Sequence, residues 1–196
     1  MTDINASAGN GARTISVWDP LVRLVHWSIA LGILINAMSE GDKSLHEFIG
    51  YAALGLVTVR LLWGLIGPRN ARFSSFPPNP RRAVRHMRTM IAELRGKGVG
   101  RPKVHLSHNP AGALMVYNLW LCIALLGVTG YMMGTVQYFG IRWVKDVHEL
   151  IFNWLVLSII LHVGGVILDA RRTGVALIGS MISGRKTIPD DVEIER

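Results

Sequence analysis

VHELIFNWLVLSIILHVGGVILDA (residues 147–170) is a continuous apolar run with a histidine near each end, His148 and His162. If it is helical, the fourteen residues from one imidazole to the other rise roughly 21 Å and return the second to within about 40° of the first. One helix then presents two ligands to one side at two depths. Holding two cofactors, one above the other inside a membrane, requires that arrangement.

Three more runs share this character, at 21–38, 45–66 and 111–133. With 147–168 they make four segments of the length that crosses roughly 30 Å of hydrocarbon. The composition agrees, with 50% hydrophobic and only 17% charged residues in 196 and a positive mean hydropathy. The expected fold is an all-α membrane protein, a four-helix transmembrane bundle with a basic cytoplasmic loop between helices two and three.

The net charge of +8 is unevenly spread. Residues 67–110 hold ten basic side chains, Arg69, Arg72, Arg81, Arg82, Arg85, Arg88, Arg95, Lys97, Arg101 and Lys103, against one acid, Glu93. The two short loops on the other side balance Lys43, Arg142 and Lys145 with Glu40, Asp42 and Asp146. An excess of Lys and Arg marks the cytoplasmic side, so both termini and the long loop are expected there. The basic loop is expected near anionic membrane lipid, and nucleic acid is not an expected partner. The single cysteine, Cys122, lies in mid-span; it excludes an intramolecular disulfide and any cluster of several cysteines. The chain opens with sixteen mostly polar residues, so the first span is expected to remain as an uncleaved anchor.

Residues 1–16 read as a disordered cytoplasmic tail, 17–181 as the membrane domain and 182–196 as a second cytoplasmic tail. In VWDPLVR, Asp19 can cap a helix whose first residue is Pro20, and His26 follows in the cytoplasmic third of the first span. His46 opens the second span at its periplasmic end. Gly50, one turn further, and Gly55 leave room beside it for a flat macrocycle or for close helix packing. Arg60 is fourteen residues after His46, hence on the same face at the opposite depth; it either snorkels to the interface or pairs with a buried anion. In the long loop, residues 80–94 space Val84, Met87, Met90 or Ile91, and Leu94 among arginines, the pattern of a short basic helix on the inner membrane surface. His86 and His105 are expected to face solvent or headgroups, and His108, at the mouth of the third span, to have a structural or capping role.

His26 and His162 thus lie toward the cytoplasmic ends of their spans, and His46 and His148 at the periplasmic ends. The topology came from the arginines, independently of the histidines, and the two readings agree. Two neutral imidazoles on facing helices suit the two axial positions of haem iron, whereas zinc normally takes three or four protein ligands. Glu47 and Glu149 each follow a histidine, which leaves a carboxylate-assisted metal site open, although adjacent helical side chains point about 100° apart. Arg60 can pair with a propionate of the haem held by His26 and His162, and Arg23 is a second candidate. Lys43, Arg142 and Lys145 could serve the other haem or simply be solvated. With both axial positions filled, no catalytic residue is expected and the chemistry is electron transfer.

VWDPLVRLVHW at the start, LHEFIGYAALGLVTVRLLWGLIGPRNARFSSF over the second span, SHNPAGALM entering the third and VHELIFNWLVLSIILHVGGV in the fourth resemble the bacterial cytochrome b561 and nickel-iron hydrogenase b-type cytochrome family. The resemblance spans residues 17–181. It implies two b-type haems, one held by His26 with His162 and the other by His46 with His148. It further implies electron exchange between the quinone pool and a redox partner protein such as a cytochrome c or a hydrogenase. Whether the chain itself oxidises or reduces quinone is left open. The alternatives are a haem-bearing anchor that docks a soluble redox enzyme without a substrate site of its own, and a membrane protein whose histidines line an ion or proton path.

Overall fold

The computed structural model describes residues 11–39, 41–96, 103–190 and 192–195. Along the chain run β1 (Ala12–Ser16), α1 (Pro20–Met38), α2 (Lys43–Ile66), α3 (Pro80–Leu94), β2 (Lys103–His105), α4 (Pro110–Gly134), α5 (Arg142–Thr173), α6 (Leu177–Ser183), β3 (Arg185–Pro189) and β4 (Glu193–Glu195). α1, α2, α4 and α5 are long and apolar enough to cross a membrane, and leucines such as Leu24, Leu31, Leu62 and Leu150 stand on their outer surface. The chain is a multi-pass membrane protein built as a four-helix bundle.

Local chemistry starts these helices. Asp19, Asn79 and Asn109 each precede a proline and each accept a hydrogen bond from the backbone three residues on, at Val22, Arg82 and Gly112; proline at the first position loses no hydrogen bond there. Asp42 caps α2 through Leu45 N in the same way. α5 has 32 residues, about 48 Å of helix, so its charged ends project beyond the apolar run expected at 147–168. It stops at Gly174, whose φ of +69° is left-handed and favours glycine.

Packing runs from α1 to α2, from α2 to α4 and from α4 to α5. Ala53, Val57 and Ile123 form the buried core between them. Gly127 lets Leu54 of α2 lie directly on α4, where a Cβ would come within 2.9 Å of it.

One end of the bundle is closed by a cap absent from the expected all-α plan. β1 and β3 pair antiparallel, with Ala12 opposite Pro189 and Ser16 opposite Arg185. β2 and β4 pair parallel, with His105 beside Glu195. Ile15, Val17, Trp18, Val22, Ala71, Val104, Val175, Ile188 and Val192 form one core beneath these strands. Two expectations are therefore corrected. The tail expected through residue 16 is a strand from Ala12, with residues 1–10 outside the described residues, and the tail expected from residue 182 contributes β3 and β4 to the body. The reason is long-range pairing between polar segments that carry only single apolar anchors, Ile15 and Ile188. α3 covers the expected residues 80–94 and packs on α4 and α5. Ala83 is buried against the bundle, while Val84, Met87 and Ile91 face outward among Arg81, Arg85 and Arg88.

Candidate functional site

At the hairpin end, opposite the cap, His46 of α2 and His148 of α5 face each other with ring centroids 6.2 Å apart. Metal–imidazole bonds of about 2 Å, with the ring centroid about 1.1 Å beyond the nitrogen, place two trans imidazoles roughly 6 Å apart. The spacing suits one metal held between two rings. Thr129 stands 2.8 Å from His148 Nδ1 and donates its hydroxyl to the Leu125 carbonyl, also at 2.8 Å. With its hydrogen given to Leu125, the Thr129 oxygen is placed to accept from Nδ1–H, an arrangement that would leave the lone pair of His148 on Nε2 for a metal. Gly130 lies against the same ring, 3.6 Å from its Cε1 by an added Cβ. Glu47 and Glu149 form exposed helical ion pairs with Lys43 and Lys145 and do not join the site. Neither histidine pair gains a third His, Cys, Asp or Glu in ligating position among the described residues.

At the capped end, His26 of α1 has a buried Nδ1 with no hydrogen-bond partner among the described residues, and His162 of α5 lies within electrostatic range of it. Arg60 of α2 completes this level. It is only 4% exposed, so it does not snorkel to water. Its Nη2 donates to the Ala71 carbonyl at 3.0 Å, and the guanidinium lies over the rings of Phe76 and Trp120, at 5.8 and 5.1 Å. Nη1 is buried and unpartnered among the described residues. A fixed cation with one unmet donor calls for an anionic acceptor. Arg23 donates from Nη1 to the Ile182 carbonyl of α6, and its buried Nε lacks a partner among the described residues.

His108 belongs to this level too. Its ring packs against Trp18 and Phe76, with centroids 5.0 and 4.6 Å away, and Ser107 Oγ stands 3.2 Å from Nδ1. Burial first, then the charges of Lys186 and Arg60, push it down to about 3 from an ordinary 6.5, so the ring is neutral. The capping role belongs to Asn109, not to His108. His86 and His105 also depart from expectation. They face each other, 5.6 Å between centroids, and His105 is only 15% exposed, because α3 packs on α4 and α5 rather than standing free.

There is room between the histidine-bearing helices. Among the described residues α5 packs closely on α4 but not on α1 or α2, and a Cβ added at Gly50 or Gly55 would meet nothing within 4 Å. Between the two levels, Asn118 of α4 donates to Ser158 Oγ at 2.8 Å and accepts from Trp154 at 3.0 Å, tying α4 to α5 in mid-span. Sequence reasoning passed over Thr129, Asn118 and Ser158. The available signal was a polar side chain inside an apolar run, where it must find a partner.

The prokaryotic cytochrome b561 family profile matches residues 17–184. A protein of Bradyrhizobium diazoefficiens named as a probable Ni/Fe-hydrogenase B-type cytochrome subunit is 24% identical, over 96% of this chain and 92% of that one. Proteins of the same name from Cupriavidus necator and Rhodobacter capsulatus are 26% and 24% identical, over 96% and 91% of this chain and 94% and 83% of theirs.

Proposed function

This chain belongs to the prokaryotic cytochrome b561 family, and on that footing we propose that it is a di-haem carrier moving electrons between the quinone pool and a redox partner protein. Its membership makes it a membrane b-type cytochrome of electron transfer. In this reading His46 and His148 hold one haem and His26 and His162 the other, with the capped end in the cytoplasm of a bacterial inner membrane. Haem bound by these histidines would supply one-electron couples, the chemistry of electron transfer. The protein fixes and insulates it. Thr129 sets the tautomer of His148. Arg60, with Arg23 as second candidate, offers positive charge to propionates, and Phe76 and Trp120 exclude water around it.

The observation that carries the proposal is the 6.2 Å spacing of His46 and His148, at the opposite end from the buried His26 and Arg60. The test is haem stoichiometry with redox titration of four single variants. His26→Ala and His162→Ala are expected to remove one spectral component, and His46→Ala and His148→Ala the other. Loss of the same component from His26→Ala and His46→Ala would sink the pairing.

The name of the relatives supports a partner such as a hydrogenase, and with it a second reading as a docking subunit. Quinols separate the two. Reduction of the purified chain by a quinol favours the carrier, and no reduction across several quinols favours the docking subunit.

A further inference from the structure

His86 and His105 stand outside the spans and outside both histidine pairs. They come from different elements, α3 and β2, and meet with ring centroids 5.6 Å apart. His86 Nε2 and His105 Nδ1 are both buried, and neither has a hydrogen-bond partner among the described residues. β4 brings a third donor. Glu195 is the register partner of His105 in the parallel ladder, and its Oε2 lies 4.0 Å from His105 Nδ1.

Helix periodicity puts His86 on the inward face of α3. Ala83, which is buried, precedes it by three residues, and Glu93, bonded to Arg172 of α5, follows by seven, so all three share one stripe. Burial is the main influence on both imidazoles and holds them below their ordinary value. The neutral ring that burial favours is the form with a lone pair to give.

We propose that His86, His105 and Glu195 form a binding site for a divalent cation of the zinc class, with water as the fourth ligand. Two imidazoles on one tetrahedral ion, with bonds of about 2 Å, have centroids roughly 5 Å apart, close to the spacing observed. Two histidines and one carboxylate with an open position is a recognised zinc donor set. Of the nearby cations, Arg172 is paired with Glu93 and Asp169 and Lys103 with Glu193, while Lys186 is held by the carbonyls of His105, Leu106 and Ser107.

The trio is not closed as it stands, in keeping with the absence of any ready three-donor cluster among the described residues. Donor atoms on a tetrahedral ion are about 3.3 Å apart, so the half-exposed Glu195 has to move inward. Binding would draw β4 toward α3 and tighten the cap.

The test uses the tag-free, haem-loaded full chain in detergent, dialysed against Zn²⁺. One Zn²⁺ per chain is expected, with a raised unfolding temperature. His86→Ala and His105→Ala should each weaken binding by roughly tenfold or more, and Glu195→Gln by less. Zinc-edge X-ray absorption on the unmodified chain should show two imidazoles in the first shell, and it decides the matter even if a variant fails to fold. Undiminished binding in a folded His86→Ala/His105→Ala double variant, or a first shell without two imidazoles, would overturn the site. None of these readouts depends on how the haems are paired.

Discussion

Arg60 shows how a charged residue can sit inside a span without reaching water. Its guanidinium is held by one backbone carbonyl and two aromatic faces, and the planar fork that makes this possible has no lysine equivalent. A positive charge beside a haem favours the reduced state, so on the proposed di-haem reading Arg60→Leu is expected to lower the midpoint potential of the haem assigned to the capped end and leave the other nearly unchanged. Redox titration of both components checks this. Equal shifts in the two would remove Arg60 from the haem's surroundings. His108 offers a second residue-scale prediction. Its folded value near 3 lies below an unfolded value near 6.5, so the unfolded chain binds more protons between those limits. The stability linked to His108 is complete above about pH 6.5 and is lost as the pH falls toward 3. Thermal unfolding followed from pH 7 down to pH 4 should therefore fall less steeply in His108→Phe than in the unmodified chain.

At the scale of elements, Arg172 joins the end of α5 to α3 and β2. It binds Glu93 at 2.8 Å, Asp169 at 2.7 Å and the Lys103 carbonyl at 3.1 Å, while Asn109 holds the other oxygen of Asp169 at 3.0 Å. Arg172→Met leaves two poorly hydrated carboxylates without their cation and is expected to cost about 3–5 kcal/mol, measured by denaturant unfolding in detergent. The same variant should loosen α3 first. α3 itself was fully legible in the sequence, 80–94, because Asn79–Pro80 starts it and its arginines alternate with apolar residues. The four spans were legible too, since hydropathy needs no knowledge of partners, and their ends moved only where polar turns of helix continue beyond the hydrocarbon. The strands were not. ARTIS and RKTIP have no strong alternation, and they become strands only because each finds the other across the whole chain. His86 and His105 were misjudged for the same reason. A histidine in a basic loop reads as solvated until a strand from elsewhere in the chain covers it.

For the molecule as a whole, the two levels of histidines were legible because helical periodicity and loop charge are independent signals that agree. The supporting groups, Thr129, Asn109 and Ser107, were not, since a hydrogen bond between helices depends on their rotation about one another. The cap has a further consequence, for the order of events in folding. The bundle is made by neighbours in sequence, α1 with α2 and α4 with α5, whereas β1 has to pair with β3, which follows all four spans. Contacts between segments so distant in sequence tend to form slowly, so the hairpin end is expected to be complete before the capped end. Shortening the chain after Ser183 should separate the two in time and in outcome. The His46–His148 component is expected to keep its full absorbance, while the His26–His162 component is incompletely loaded, as read by haem equivalents per chain. Assembly would then have a direction, from the hairpin end toward the cap, and the haem proposed for His26 and His162 would be sealed in by the element that arrives after every span.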